Sequence, residues 1–113
     1  MRMWKVDARL LCRRHLLGEH AEMHMFAGCL KRGMPIEGYV AGGLVEVGNI
    51  GRRHDELAAE MARRGMNHDS PLALPPQAPR GNVDLARSLA ELAARCPECR
   101  ERCKGLGECS SFG

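Results

Sequence analysis

A carboxylate set into an apolar helical stripe constrains this chain more than any other feature of it. Cys12, Leu16, Met23, Phe26 and Leu30 recur at spacings of three, four or seven residues, which marks one buried face of an α-helix. Glu19 falls on that stripe between Leu16 and Met23, where burying a carboxylate is costly unless a partner neutralises it. His15 precedes Glu19 by four residues and Glu22 by seven, so the three groups share one side of the helix. The fold must therefore pack this helix and also bring a basic group to Glu19. His15 or a nearby basic side chain is the expected partner.

At 113 residues the chain is sized for one domain spanning residues 1–113. Its only aromatic residues are Trp4, Phe26, Tyr39 and Phe112, so the core must be built from Leu, Met, Val and Ala. It holds no apolar run long enough for a membrane span, and Arg2, Lys5, Asp7 and Arg9 crowd its start, unlike a secretory leader. A cytoplasmic protein is the expectation. The formal charge of +3 is mild, but it is gathered at Arg13-Arg14, Lys31-Arg32, Arg52-Arg53, Arg63-Arg64 and residues 100–104. Such clusters suit a polyanionic partner and are equally common as solvated helix ends.

Asp7 reads as the N-cap of a first helix of about 24 residues that runs to Lys31-Arg32 and stops at Gly33. Gly18 inside it costs about 1 kcal/mol relative to Ala, and leaves space for another backbone or a ligand to approach. Residues 34–49 read as loop with one short extended piece and no sheet. A second helix fits residues 50–64, with Ile50, His54, Leu57 and Met61 at helical spacing and Gly65 closing it. Residues 66–81 hold Pro71, Pro75, Pro76 and Pro79 and must be irregular. A third helix starts from a cap at Asn82 or Asp84 and ends near Arg95, burying Leu85, Leu89 and Leu92. The predicted architecture is all-α: a compact single domain of three main helices, long loops and a Cys-rich tail over residues 95–113.

That tail carries Cys96, Cys99, Cys103 and Cys109. In a reducing compartment such clustering favours a metal over disulfides, and Cys-x2-Cys is a common zinc half-site. The four cysteines are the expected ligands of a structural zinc. The competing reading makes Cys96, Cys99 and Cys103 the apolar face of a short helix. Cys12 and Cys29 read as core.

The segment His15-Leu16-Leu17-Gly18-Glu19-His20-Ala21-Glu22-Met23 resembles the first long helix of the phage-type pyrimidine-dimer DNA glycosylases, the endonuclease V group. Residues 52–67, from Arg52-Arg53-His54 to Arg64-Gly65-Met66-Asn67, are similar to that family's middle helix, and Arg87 and Arg95 fall on its last. The resemblance implies a DNA-repair glycosylase with AP-lyase activity that acts on damaged double-stranded DNA as a monomer and needs no catalytic cofactor. In that family an N-terminal α-amine attacks C1′ of the damaged nucleotide to form a Schiff base, and a glutamate on the first helix assists. Counting back without gaps places that amine at Met1 and that carboxylate at Glu22.

Arg2 then occupies the position of a family arginine that contacts DNA. Its bulk also implies that the initiator methionine is retained. An α-amine suits the role, because its ordinary pKa near 8 leaves a useful unprotonated fraction at neutral pH. Arg2, Arg87 and Arg95, which the resemblance places at DNA, and the neighbouring Arg13 and Arg14 are the expected DNA-binding residues, and Trp4, His15 and His20 are the expected lining of the active site. His24 is a further candidate to support an extruded base. The chain departs from the family at Ala21 and Met25, which replace DNA-gripping arginines, and at Glu98-Cys99-Arg100, which replaces an aromatic segment. Those departures favour the rival reading, a non-catalytic DNA-binding or interaction module that keeps the fold.

Overall fold

The buried ion pair that the sequence demands lies between the two longest helices. The computed structural model describes residues 1–67 and 70–106. Helix α1 (Arg13–Lys31) turns Leu16, Glu19, Met23 and Phe26 inward, and α2 (Glu37–Ala41) follows as a single short element. Helix α3 (Ile50–Arg63) packs against α1 and buries Ile50, Arg53, His54, Leu57 and Met61. The Arg53 guanidinium donates to both Glu19 oxygens, from Nε at 2.6 Å and from Nη2 at 3.0 Å. The partner of Glu19 is thus Arg53, not His15. A guanidinium fork from the facing helix saturates both oxygens, which an imidazole cannot do.

Helices α4 (Leu85–Arg95) and α5 (Pro97–Gly105) complete the all-α architecture, and no strand occurs among the described residues. The three expected helices are α1, α3 and α4. The Cys-rich segment supplies α5, with Pro97 at its first position and Cys99 and Cys103 on its buried side. No helix among the described residues is long and apolar enough to cross a membrane.

The first helix starts later than expected. Asp7 caps only a 3-10 turn, Ala8–Leu10, its carboxylate accepting the Arg9 N–H at 3.0 Å. The chain then extends through Leu11 and Cys12 before α1 begins, with Cys12 as its N-cap. Leu10, Leu11 and Cys12 are all buried. Three consecutive residues cannot all face inward from one helical stripe, so the chain leaves the helix there. Residues 34–49, expected as loop, hold α2 and a 3-10 turn at Val47–Asn49. Leu85, expected in the core, is 49% exposed, and Ser88 takes the inward place instead.

The proline-rich stretch is held to the body by backbone contacts. Val47 N–H donates to Arg80 O at 2.9 Å. Gly81 follows with φ of 84°, and a Cβ there would stand 2.3 Å from Val45 O. Only glycine fits both the conformation and the space.

Candidate active site

Residues 1–6, too short for an element of their own, are nonetheless fixed at each step. Met3, Trp4 and Val6 are buried, and Lys5 between them takes a left-handed backbone with φ of 68°. Met3 N–H donates to Leu44 O at 2.7 Å. Arg2 N–H donates to Glu22 Oε1 at 2.6 Å, and the Trp4 backbone N–H bonds to Glu19. Burial pushes the Glu19 carboxyl up, while its bonds from Arg53 and Trp4 oppose that rise. Both first-helix glutamates therefore hold the N-terminal segment, Glu19 from inside the core and Glu22 at its edge.

The Arg2 side chain adds a second clamp. Its Nη1 lies 2.6 Å from Glu91 Oε2 and its Nη2 3.0 Å from Ser88 Oγ, while the guanidinium stacks 3.8 Å above the Trp4 ring. Ser88 in turn donates its hydroxyl to Trp4 O. As a result the Met1 amine sits 4.0 Å from Glu22 Oε1. The two groups open onto a cleft of about 390 Å³ lined by Met1, Arg2, Trp4, His15, Glu22, Leu44 and Arg95. At this separation, beyond direct hydrogen-bond reach, an amine and a carboxylate can exchange a proton through one water.

Of the residues singled out from the sequence, Met1, Arg2, Trp4, His15, Glu22 and Arg95 meet at this cleft. The His15 ring stands edge-on to Trp4, with centroids 6.0 Å apart. Burial lowers its pKa, and the nearby Arg14 charge adds to that effect. Gly18 admits no other backbone. A Cβ there would meet only Glu22 Oε2, at 3.9 Å, so the space beside that carboxylate stays open.

Arg13 and Arg14 are exposed in the first turn of α1, and Arg87 is exposed with its Nε 3.1 Å from Glu91. The Arg2 guanidinium, expected at DNA, is engaged by Glu91, Ser88 and Trp4. His20, expected in the lining, instead groups with His24 and His54 between α1 and α3, its ring centroid 5.0 Å and 4.7 Å from theirs. Sequence reasoning missed Leu44, Ser88, Glu91 and Arg53. Each meets its partner across a long stretch of chain, which no local spacing signals.

The cysteines also regroup. Cys96 and Cys99 meet Cys12 and His15 rather than Cys103, and the four ligand atoms lie within 4.8 Å of one another, a set able to hold a metal ion. Cys103 is disulfide-bonded, and Cys109 lies outside the described residues. Burial pushes the Cys99 thiol up to about 12. Cys12 is buried as expected of a core residue, while Cys29 is half-buried at the core's margin. A second groove of about 410 Å³ includes Arg9, Glu60, Arg63 and Arg102 in its walls. Its carboxylate, Glu60, is tied to Arg63 at 2.6 Å and Arg64 at 2.8 Å. The amine–carboxylate pair belongs to the first cleft.

Comparison with curated proteins and with solved structures gives no match. The sequence model of the pyrimidine dimer DNA glycosylase family matches residues 1–74, a stretch that includes Met1, Arg2, the whole of α1 and α3, and Glu22. The chain belongs to the pyrimidine dimer DNA glycosylase family.

Proposed function

We propose that the protein is a base-excision DNA glycosylase with AP-lyase activity, working through a Schiff base on the α-amine of Met1. The observation that carries this reading is the 4.0 Å approach of that amine to Glu22 in an open cleft. The unprotonated amine attacks C1′ of the damaged nucleotide, the glycosidic bond breaks, and the base departs with its bonding electrons and a proton. Ring opening then gives an imine between the Met1 nitrogen and C1′, with O4′ taking a proton. Loss of a 2′ proton expels the 3′ phosphate by β-elimination, and water releases the imine. Glu22 stabilises the positive charge at C1′ and carries the protons.

In this reading catalysis uses no cofactor, and zinc enters only as a structural ion. Residues 1–113 act as one domain and as a monomer on damaged double-stranded DNA in the cytoplasm. Arg13, Arg14, Arg87 and Arg95 hold phosphates, while Arg2 positions the amine. Trp4 and His15 form the wall against which an extruded nucleotide rests.

The test is incision of a duplex carrying one cyclobutane pyrimidine dimer, beside the same duplex carrying one abasic site. Cleavage of both is the expected result. Ala21 is exposed and Met25 is 53% exposed where the resemblance calls for arginines, which favours the binding-module reading. Binding to both duplexes with cleavage of neither would establish that reading instead.

A further inference from the structure

We propose that Cys12, His15, Cys96 and Cys99 bind one zinc ion that pins the start of α5 to the start of α1. The distances fit a tetrahedral ion. Cys12 Sγ lies 3.2 Å from His15 Nδ1 and 3.9 Å from Cys96 Sγ, and Cys99 Sγ lies 3.6 Å from His15 Nδ1. Zinc bonds of about 2.3 Å to sulfur and about 2.0–2.1 Å to nitrogen separate neighbouring ligand atoms by about 3.5–3.8 Å in a tetrahedron. Two ordinary half-sites converge here, Cys12-x2-His15 and Cys96-x2-Cys99.

Helix N-termini and backbone donors at the cluster support thiolates once a cation is bound. Cys12 is the N-cap of α1 and Cys96 the N-cap of α5, so two helix N-termini face the cluster. Three backbone N–H groups point at the three sulfurs: Cys12 at Cys99 Sγ (3.2 Å), Cys99 at Cys96 Sγ (3.4 Å) and His15 at Cys12 Sγ (3.4 Å). Donors of this kind support bound thiolates and fix their orientation. The three cysteines are buried, with no more than 3% exposure, and a closed site of three sulfurs and one imidazole is the chemistry of structural zinc. Binding releases the thiol protons to solvent, so uptake weakens as pH falls.

The position gives the ion a purpose. His15 is held through Nδ1, and its ring stands edge-on to Trp4, which underlies Arg2. Zinc thereby braces the wall of the cleft from behind. It also secures α5, which lies beyond the residues matched by the family.

The test is metal analysis of the protein purified without chelators from zinc-supplemented cells, followed by cobalt substitution. The expected result is roughly one zinc per chain and a tetrahedral cobalt spectrum whose sulfur charge-transfer intensity reports three thiolates. Cys12→Ser and Cys96→Ser should each lower bound zinc by about tenfold or more, while Cys29→Ser and Cys103→Ser keep it. His15→Cys should fold, retain zinc and shift the cobalt spectrum to four thiolates. The proposal is overturned by zinc-free protein, by Cys12 and Cys96 recovered as a disulfide, or by a cobalt spectrum without thiolate bands. It is equally overturned if Cys109→Ser removes the ion, or if Cys12→Ser keeps it while His24→Ala loses it, since those results place the metal elsewhere.

Discussion

Glu19 and Glu22 are one helical turn apart on α1, yet their surroundings assign them different work. Glu19 is sealed in the core and forked to Arg53, and breaking such a pair costs about 3–5 kcal/mol. Glu22 is partly exposed in the cleft beside Met1. Glu19→Ala should therefore lower thermal stability by that amount. Glu22→Gln should melt near the parent protein and cleave abasic DNA about 10²–10⁴-fold more slowly. Equal loss of cleavage in both variants, with both still folded, would contradict the division. The sequence made the oddity of Glu19 visible, because a carboxylate interrupts an apolar stripe. It did not reveal Arg53, since that pairing spans 34 residues and depends on how two helices cross. Met1 and Glu22 were legible only through resemblance, counted back from His15.

Among the elements, the three main helices were legible, while the short helix α2 and the contacts that tie the connections together were not. Periodicity marks Ile50, His54, Leu57 and Met61, and all four are buried. Nothing periodic marks Glu46, which ties three irregular segments together through Lys5 Nζ at 2.9 Å, Asn49 Nδ2 at 2.8 Å and Val83 N–H at 2.9 Å. Burial resists ionisation of Glu46, but bonds from Val83, Lys5 and Asn49 outweigh it and hold the carboxyl below the usual range. A depressed folded pKa contributes stability above the unfolded value, about 4.3 for glutamate, and loses it as pH falls through the folded value. Glu60 and Glu91, paired with arginines, shift in the same direction. Urea unfolding should show stability declining once pH drops below about 4.3. Glu46→Gln should be less stable at neutral pH and show a shallower acid decline. An unchanged decline would mean that Glu46 does not carry this linkage.

Across the whole molecule, the site is assembled from the two ends of the chain. Arg2 meets Ser88 and Glu91 of α4, and Cys12 and His15 meet Cys96 and Cys99 at α5. Spacing in a single sequence finds half-sites, so it found Cys96-x2-Cys99 and looked for the other half nearby in the tail. Only the fold brings Cys12 and His15 to it. The exposed arginines are likewise separate in sequence, and the proposed function gives them a collective role in holding phosphates. Replacing Arg87 or Arg95 with alanine should weaken binding to damaged and undamaged duplex alike and reduce the salt slope by about one ion. A change in lesion preference alone would contradict a phosphate-holding role.

Borohydride trapping on abasic duplex DNA shows whether the Met1 amine is the nucleophile. The expected result is a covalent protein–DNA adduct that maps to the N-terminal peptide and disappears when the α-amine is acetylated or when residues are added before Met1. An adduct that survives the added residues and maps to a lysine would contradict it.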